Sequence, residues 1–160
     1  MKPMTILILA GSLIGIFDSF YLVNSHYNGG TACSSGNDKF LGIRIDCGAV
    51  DTSKYSEIFG ISVALFGFLY YLTMFLIVYF DTNIINYLNR YDIPQLKYKP
   101  IMKIIAVISS LGFLFTLYLL NIQINVLHVI CKYCMYSALT TTVIFASSWI
   151  DVFHPEKVIT

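Results

Sequence analysis

The run Ile58–Phe80, IFGISVALFGFLYYLTMFLIVYF, carries no charged residue. A transmembrane helix needs about 20 consecutive, mostly apolar residues, so this stretch is long enough to cross a bilayer. Three other runs have nearly the same character: residues 4–23, broken only by Asp18; residues 101–124, with Lys103 at the edge; and residues 131–150. Spans at about 4–23, 58–80, 101–124 and 131–150 predict an all-α integral membrane protein. The expected architecture is a single domain over 1–160, a four-transmembrane-helix bundle with a long loop between helices 1 and 2.

Composition supports the same class. Of 160 residues, 57% are hydrophobic and 12% charged, whereas an ordinary soluble domain has about 25% charged residues. The net charge of +1 gives no clustered basic surface, so nucleic acid is not an expected partner. An aromatic content of 16% with so few charges also argues against a disordered chain. The first run follows Lys2 and could be mistaken for a signal peptide, but it is longer than a typical h-region and no small-x-small cleavage pattern follows. It is read as a retained helix. Neither an internal repeat nor a low-complexity tract is found.

Four spans put both termini and the 81–100 loop on one side, and the 24–57 loop and the turn before the fourth span on the other. Lys2, Arg90, Lys97, Lys99, Lys103 and Lys157 fall on the first side; Lys39, Arg44, Lys54 and Lys132 fall on the second. The positive-inside rule then directs the termini to the cytoplasm. The expected location is the cell membrane, multi-pass, with the long loop extracytoplasmic.

On this topology all four cysteines share one membrane face. Cys33 and Cys47 lie in the first loop, and Cys131 and Cys134 form a C-K-Y-C motif where the fourth helix starts. Thiols so grouped can pass a disulfide by exchange, each step needing only a thiolate within reach of a disulfide sulfur. Cysteines three apart at a helix N-terminus lie on roughly one face, where free N–H groups and Lys132 favour a thiolate. Other readings of the same residues stand beside this one. Cysteine can pack as a small hydrophobe, though that does not account for the C-x-x-C pair. A Cys33–Cys47 staple closing a loop of about 15 residues would be worth roughly 3 kcal/mol. A zinc site could use four cysteines, but the first pair lacks the close spacing of zinc ribbons.

The segment from Cys47, CGAVDTSKYSEIFGISVALFGFLYY, resembles the vitamin K epoxide reductase family: a loop cysteine, a serine six residues later, then F-G-I and a Gly/aromatic-rich helix. The matching positions are Cys47, Ser53, Phe59-Gly60-Ile61 and Gly67. The late C-K-Y-C-M-Y-S-A, the first-helix exit S-F-Y-L-V-N-S-H-Y and the third-helix T-L-Y-L are also similar to family sequence. This resemblance implies a quinone-dependent thiol oxidoreductase that makes disulfides in a separate thioredoxin-like (DsbA-like) partner. The acceptor would be ubiquinone, menaquinone or vitamin K, with no metal. Carried over by position, Cys33 exchanges with the partner, Cys47 passes electrons to Cys131, and Cys134 faces the quinone. Ser53, Tyr55 and Phe59 match the segment that covers the ring, although an aromatic interfacial anchor explains Tyr55 and Phe59 almost as well.

Three departures from the family pattern stand out. Ser62 replaces the usual Pro, the Cys33–Cys47 loop is longer than expected, and no thioredoxin-like domain follows the fourth span. DsbB-type proteins place their C-x-x-C in the first loop, the reverse of the order here. The alternative from another class is a non-enzymatic membrane scaffold with structural disulfides or a metal-binding cysteine site. Among the remaining polar residues, Asp18 within a span is either functional or reaches the headgroups. His26 and His128 could relay protons but more simply make interfacial hydrogen bonds. Asn121, Gln123 and Asn125 read as the frayed end of the third helix.

Overall fold

The computed structural model describes residues 3–28, 39–40, 43–90 and 98–153, with side chains at 4–28, 43–83 and 102–153. Cys33 lies outside the described residues. Four long helices dominate: α1 (Pro3–Tyr27), α3 (Val63–Arg90), α4 (Tyr98–Asn121) and α5 (Lys132–Phe153). A short α2 (Cys47–Asp51) and five short strands, β1 (Lys39–Phe40), β2 (Ile43–Ile45), β3 (Glu57–Ile58), β4 (Ile61–Ser62) and β5 (Val129–Ile130), sit between them. The helix α1 packs on α3 and α5, and α4 packs on α5.

Three segments are long and apolar enough to cross a membrane: Met4–Tyr27, Val63–Asn83 and Met102–Leu127. Their outer faces expose Ile14, Phe17 and Phe20 on α1 and Val107 and Leu114 on α4, side chains suited to lipid rather than water. The expected fourth span is a helix of 22 residues but is not among these three. The physical reason is its inward face, where Thr140, Thr141, Ser147 and Ser148 are buried against the other helices.

Small and polar residues let the helices approach. A Cβ on Gly15 would overlap the Tyr71 ring, and one on Gly112 would come within 2.6 Å of the Tyr70 ring. The Tyr71 hydroxyl hydrogen-bonds with the Thr141 and Ser137 hydroxyls, each at 2.7 Å, and Ser109 meets Ser148 at 2.7 Å. Interhelical hydrogen bonds in membranes average about 0.6 kcal/mol, so they orient the helices while close packing provides most of the association. That packing centres on Ile8, Tyr71, Met74, Val78, Met102, Ile105 and Ile144.

The expected boundaries shift in instructive ways. The run from Ile58 does not start as helix, because Glu57–Ser62 forms a β3–β4 hairpin whose turn residues Phe59 and Gly60 have φ of 55° and 76°. Positive φ at both turn positions matches the twist of a two-residue hairpin. Only then does α3 begin, with Ser62 Oγ accepting the Ala64 N–H at 3.3 Å. The serine standing where the family usually has Pro therefore caps the helix. At the other end of the bundle's third helix, α4 continues as a π-helical turn, Ile122–Leu127, closed by His128 in the left-handed region at φ 51°. Gln123 is buried there. The expectation of a frayed, solvated end is corrected for that residue, while Asn121 and Asn125 are exposed and bond to each other at 3.2 Å.

One small sheet ties the loop to the bundle. Its order is β1-β2-β5, with β2 and β5 parallel in the register Arg44↔Val129 and Ile45↔Ile130. The Asp46 N–H extends the ladder to the Ile130 carbonyl at 3.1 Å. Asp46 also caps α2, its carboxylate accepting the Ala49 N–H at 3.0 Å, and it pairs with Arg44. The Ala49 N–H first, then Arg44, hold this carboxyl below the ordinary carboxylate range. A lowered folded-state pKa means that the stabilisation is complete above about pH 4 and is lost as pH falls through that lowered value. Asp46→Ala is expected to cost about 1 kcal/mol, as for other lost N-caps, seen as a lower thermal midpoint in detergent near neutral pH, and Asp46→Asn should retain most of the cap. An unchanged midpoint in Asp46→Ala would show that the cap does not hold the loop.

Candidate functional site

The register of β2 and β5 decides where the cysteines meet. Asp46 and then Cys47 follow Ile45, and Cys131 follows Ile130, so pairing of the two isoleucines brings both cysteines to the same end of the ladder. Cys47 is fully buried and disulfide-bonded, whereas Cys131 and Cys134 carry free thiols. Cys47, Cys131 and Leu22 form one packed cluster, bordered by Val50, Ala64, Tyr133 and Cys134. Three of the four cysteines thus share one site, and Cys33 lies outside the described residues.

The C-x-x-C pair is held by two specific contacts. The Cys131 N–H donates to Gln123 Oε1 at 3.2 Å, and the Cys134 N–H donates to Cys131 Sγ at 3.4 Å. The latter is the free-amide effect expected at a helix start, since Cys131 immediately precedes α5. Hydrogen bonding from the Cys134 thiol, opposed by burial and reinforced by the Cys134 and Tyr133 amides, lowers the Cys131 pKa below that of an ordinary thiol. Of the pair, Cys131 is the sulfur whose thiolate form is favoured.

These sulfurs open onto a cavity of about 330 Å³. That volume lies at the small end of the range for small-molecule sites, about 300–1,000 Å³. Its walls include Phe66 and Tyr70 from α3, Leu111 and Phe115 from α4, and Cys47, Cys131 and Cys134. Ser53 and Tyr55 line it too. Ser53 Oγ donates to the Val50 carbonyl at 2.8 Å, and Tyr55 remains partly exposed. Phe59 does not belong to the wall: it is fully exposed at the hairpin tip. Its expected place over a ring is corrected, because the tight Phe59-Gly60 turn projects it away from the helices.

Other sequence candidates take definite places. Asp18 is partly buried on α1, with Oδ2 unpartnered among the described residues, and it does not line the cavity. His26 bonds Asp51 and Glu57, whereas His128 is exposed at the end of the π-helical turn. Among the described residues no group of three or more His, Cys, Asp or Glu is placed to hold a metal ion.

Gln123, Asp51 and Tyr70 contribute to the site without having stood out in the sequence. The Tyr70 hydroxyl is buried in the cavity region with no hydrogen-bond partner among the described residues. Gly112 makes room for its ring, but only the packing of α3 on α4 reveals that relation.

Fold and site together define a helical membrane protein with a buried cysteine centre facing an apolar chamber. The chain belongs to the vitamin K epoxide reductase family, whose model matches residues 6–149. A comparison with curated proteins gives no match. The family is one of membrane-embedded oxidoreductases.

The thiol pair makes its own prediction. Cys134→Ala removes the sulfur that hydrogen-bonds Cys131, so ultraviolet thiolate absorbance of the reduced protein should titrate at higher pH than in the wild type. A midpoint at or below the wild-type value would contradict the assignment of Cys131 as the thiolate.

Proposed function

We propose that the protein oxidises dithiols of a thioredoxin-like partner and reduces a membrane quinone. The observation that carries this reading is one disulfide-bonded cysteine and two free ones packed together at the wall of an apolar cavity. A scaffold stapled by permanent disulfides has no need of free thiols beside a bonded cysteine.

The electrons follow the sulfurs. In this reading partner thiols reduce a Cys33–Cys47 disulfide. The loop dithiol then reduces a Cys131–Cys134 disulfide by attack on Cys131, with Cys134 as the leaving sulfur. Cys131 thiolate, Cys134 thiol, quinone and one further proton then yield the disulfide and the hydroquinone. Two electrons leave the sulfur pair, and two protons and two electrons reach the ring.

Several features suit a quinone in the chamber. Phe66, Phe115 and Tyr55 offer flat apolar surface to a ring. The Tyr70 hydroxyl has no acceptor among the described residues, and a quinone carbonyl would supply one. The acceptor's lipid tail also gives the catalyst a reason to lie in the bilayer. Ubiquinone, menaquinone and vitamin K all fit this description.

In this reading α5 is the fourth span, its polar face turned inward and its Leu139 turned to lipid. The termini face the cytoplasm and the cysteines the outside, so a reporter joined after Thr160 is active in the cytoplasm; activity only outside would reverse the orientation.

The direct test supplies purified protein with a reduced thioredoxin-like donor and a quinone. Hydroquinone should form in step with donor disulfide, and Cys134→Ala should abolish it. Undiminished quinone reduction by Cys134→Ala would overturn the mechanism.

A further inference from the structure

Disulfide exchange moves electron pairs between sulfurs but leaves protons behind. On the relay proposed above, on which this inference rests, two protons must enter the chamber in each turnover. One neutralises Cys134 when it leaves its disulfide as thiolate, and the other completes the hydroquinone. Both are released from thiols of the loop as they attack, on the water-facing side. They have to reach a chamber walled largely by apolar side chains.

A chain of three titratable residues crosses that boundary. Glu57 Oε1 lies 3.3 Å from His26 Nε2, and His26 Nδ1 lies 3.1 Å from Asp51 Oδ1 and 3.0 Å from the Asp51 carbonyl oxygen. Exposure falls inward along the chain, from 50% at Glu57 through 13% at His26 to 8% at Asp51. Asp51 lines the cavity, and its Oδ2 is buried with no hydrogen-bond partner among the described residues. A buried carboxylate oxygen left unpaired is costly. Three separate elements converge on this arrangement: the end of α1, the end of α2 and strand β3. The neighbouring Tyr27 ring meets His26 edge-on at 5.5 Å, leaving both ring nitrogens to the carboxylates.

We propose that Glu57, His26 and Asp51 form a proton relay from the aqueous face into the cavity. Glu57 delivers a proton to Nε2 while Nδ1–H passes one to Asp51. The spare oxygen of Asp51 then gives it to the Cys134 thiolate or to the quinone oxygen, and the imidazole returns to its starting tautomer before the next transfer. Imidazole suits this role because its two nitrogens can exchange donor and acceptor character. Each pass moves one proton and no electrons, and two passes match the two protons required.

The test separates proton delivery from thiol exchange. Wild type, Asp51→Asn and Glu57→Gln are each mixed with a reduced thioredoxin-like donor, first without quinone, reading the first equivalent of donor oxidised. They are then assayed with a short-tailed ubiquinone analogue, reading steady-state hydroquinone. Asp51→Asn should lower kcat by about tenfold or more, within the scale of lost general acid catalysis. Its KM for quinone and its first exchange with donor should match the wild type, and its solvent deuterium isotope effect should rise. Glu57→Gln should show a smaller fall in the same direction, since water can reach His26 from that side. Wild-type kcat in both variants, or a first exchange slowed by the same factor as kcat in Asp51→Asn, would overturn the relay. A wild-type protein that exchanges with the donor but reduces no quinone would instead overturn the underlying function, and the relay with it.

Discussion

Everything at the cysteine centre depends on a short parallel pairing between chain segments more than 80 residues apart. Ile45 opposite Ile130, extended by the Asp46 N–H bond to the Ile130 carbonyl, fixes the loop cysteine Cys47 against Cys131. Two ladder positions would be a weak sheet in water, since isolated strand pairs are marginal. Here the ends are restrained by other means. Asp46 caps α2, Gln123 anchors the Cys131 amide, and the cysteines themselves are buried with Leu22. The pairing is less a source of stability than a register, and the register determines which sulfurs can meet.

The bundle around that register has an apolar exterior and a partly polar interior, the opposite of a soluble protein. Ser109, Ser148 and Thr141 sit at helix contacts while Phe17, Leu114 and Leu139 face outward. Such an interior fixes helix rotation at modest energetic gain, because each hydrogen bond is weak and the rings of Tyr70 and Tyr71 need glycine opposite them to fit. The cavity follows from the same packing. It lies between α3 and α4, the long helices joined by the sparser contacts, and the loop with α2 covers it at the cysteine end.

The sequence made the membrane class and the cysteine centre readable for simple reasons. Apolar runs of about 20 residues with one charge or none have few alternatives to a bilayer, and a C-x-x-C at a helix start is visible as spacing alone. The boundaries were less readable. Phe59-Gly60 lies inside an unbroken apolar run, so hydropathy continues through a turn that the backbone makes by positive φ. Gln123 looked like one of three polar residues at a helix exit, but the π-helical turn rotates it inward to meet Cys131. His26 and Asp51 are 25 residues apart, and Tyr70 and Gly112 lie on different helices. Relations of that kind come from tertiary packing and leave no local pattern. Ser62 is the converse case: as a departure from the family's Pro it stood out immediately, and its function as a cap became evident only with the backbone.

Whether Cys47 and Cys131 stand close enough to exchange is decided in a double variant, Cys33→Ser with Cys134→Ser, which leaves these two as the remaining cysteines. After mild oxidation in detergent, mass spectrometry of the digested protein should find the Cys47 and Cys131 peptides joined by an intramolecular disulfide. Both cysteines recovered as unlinked thiols would contradict the Ile45–Ile130 register.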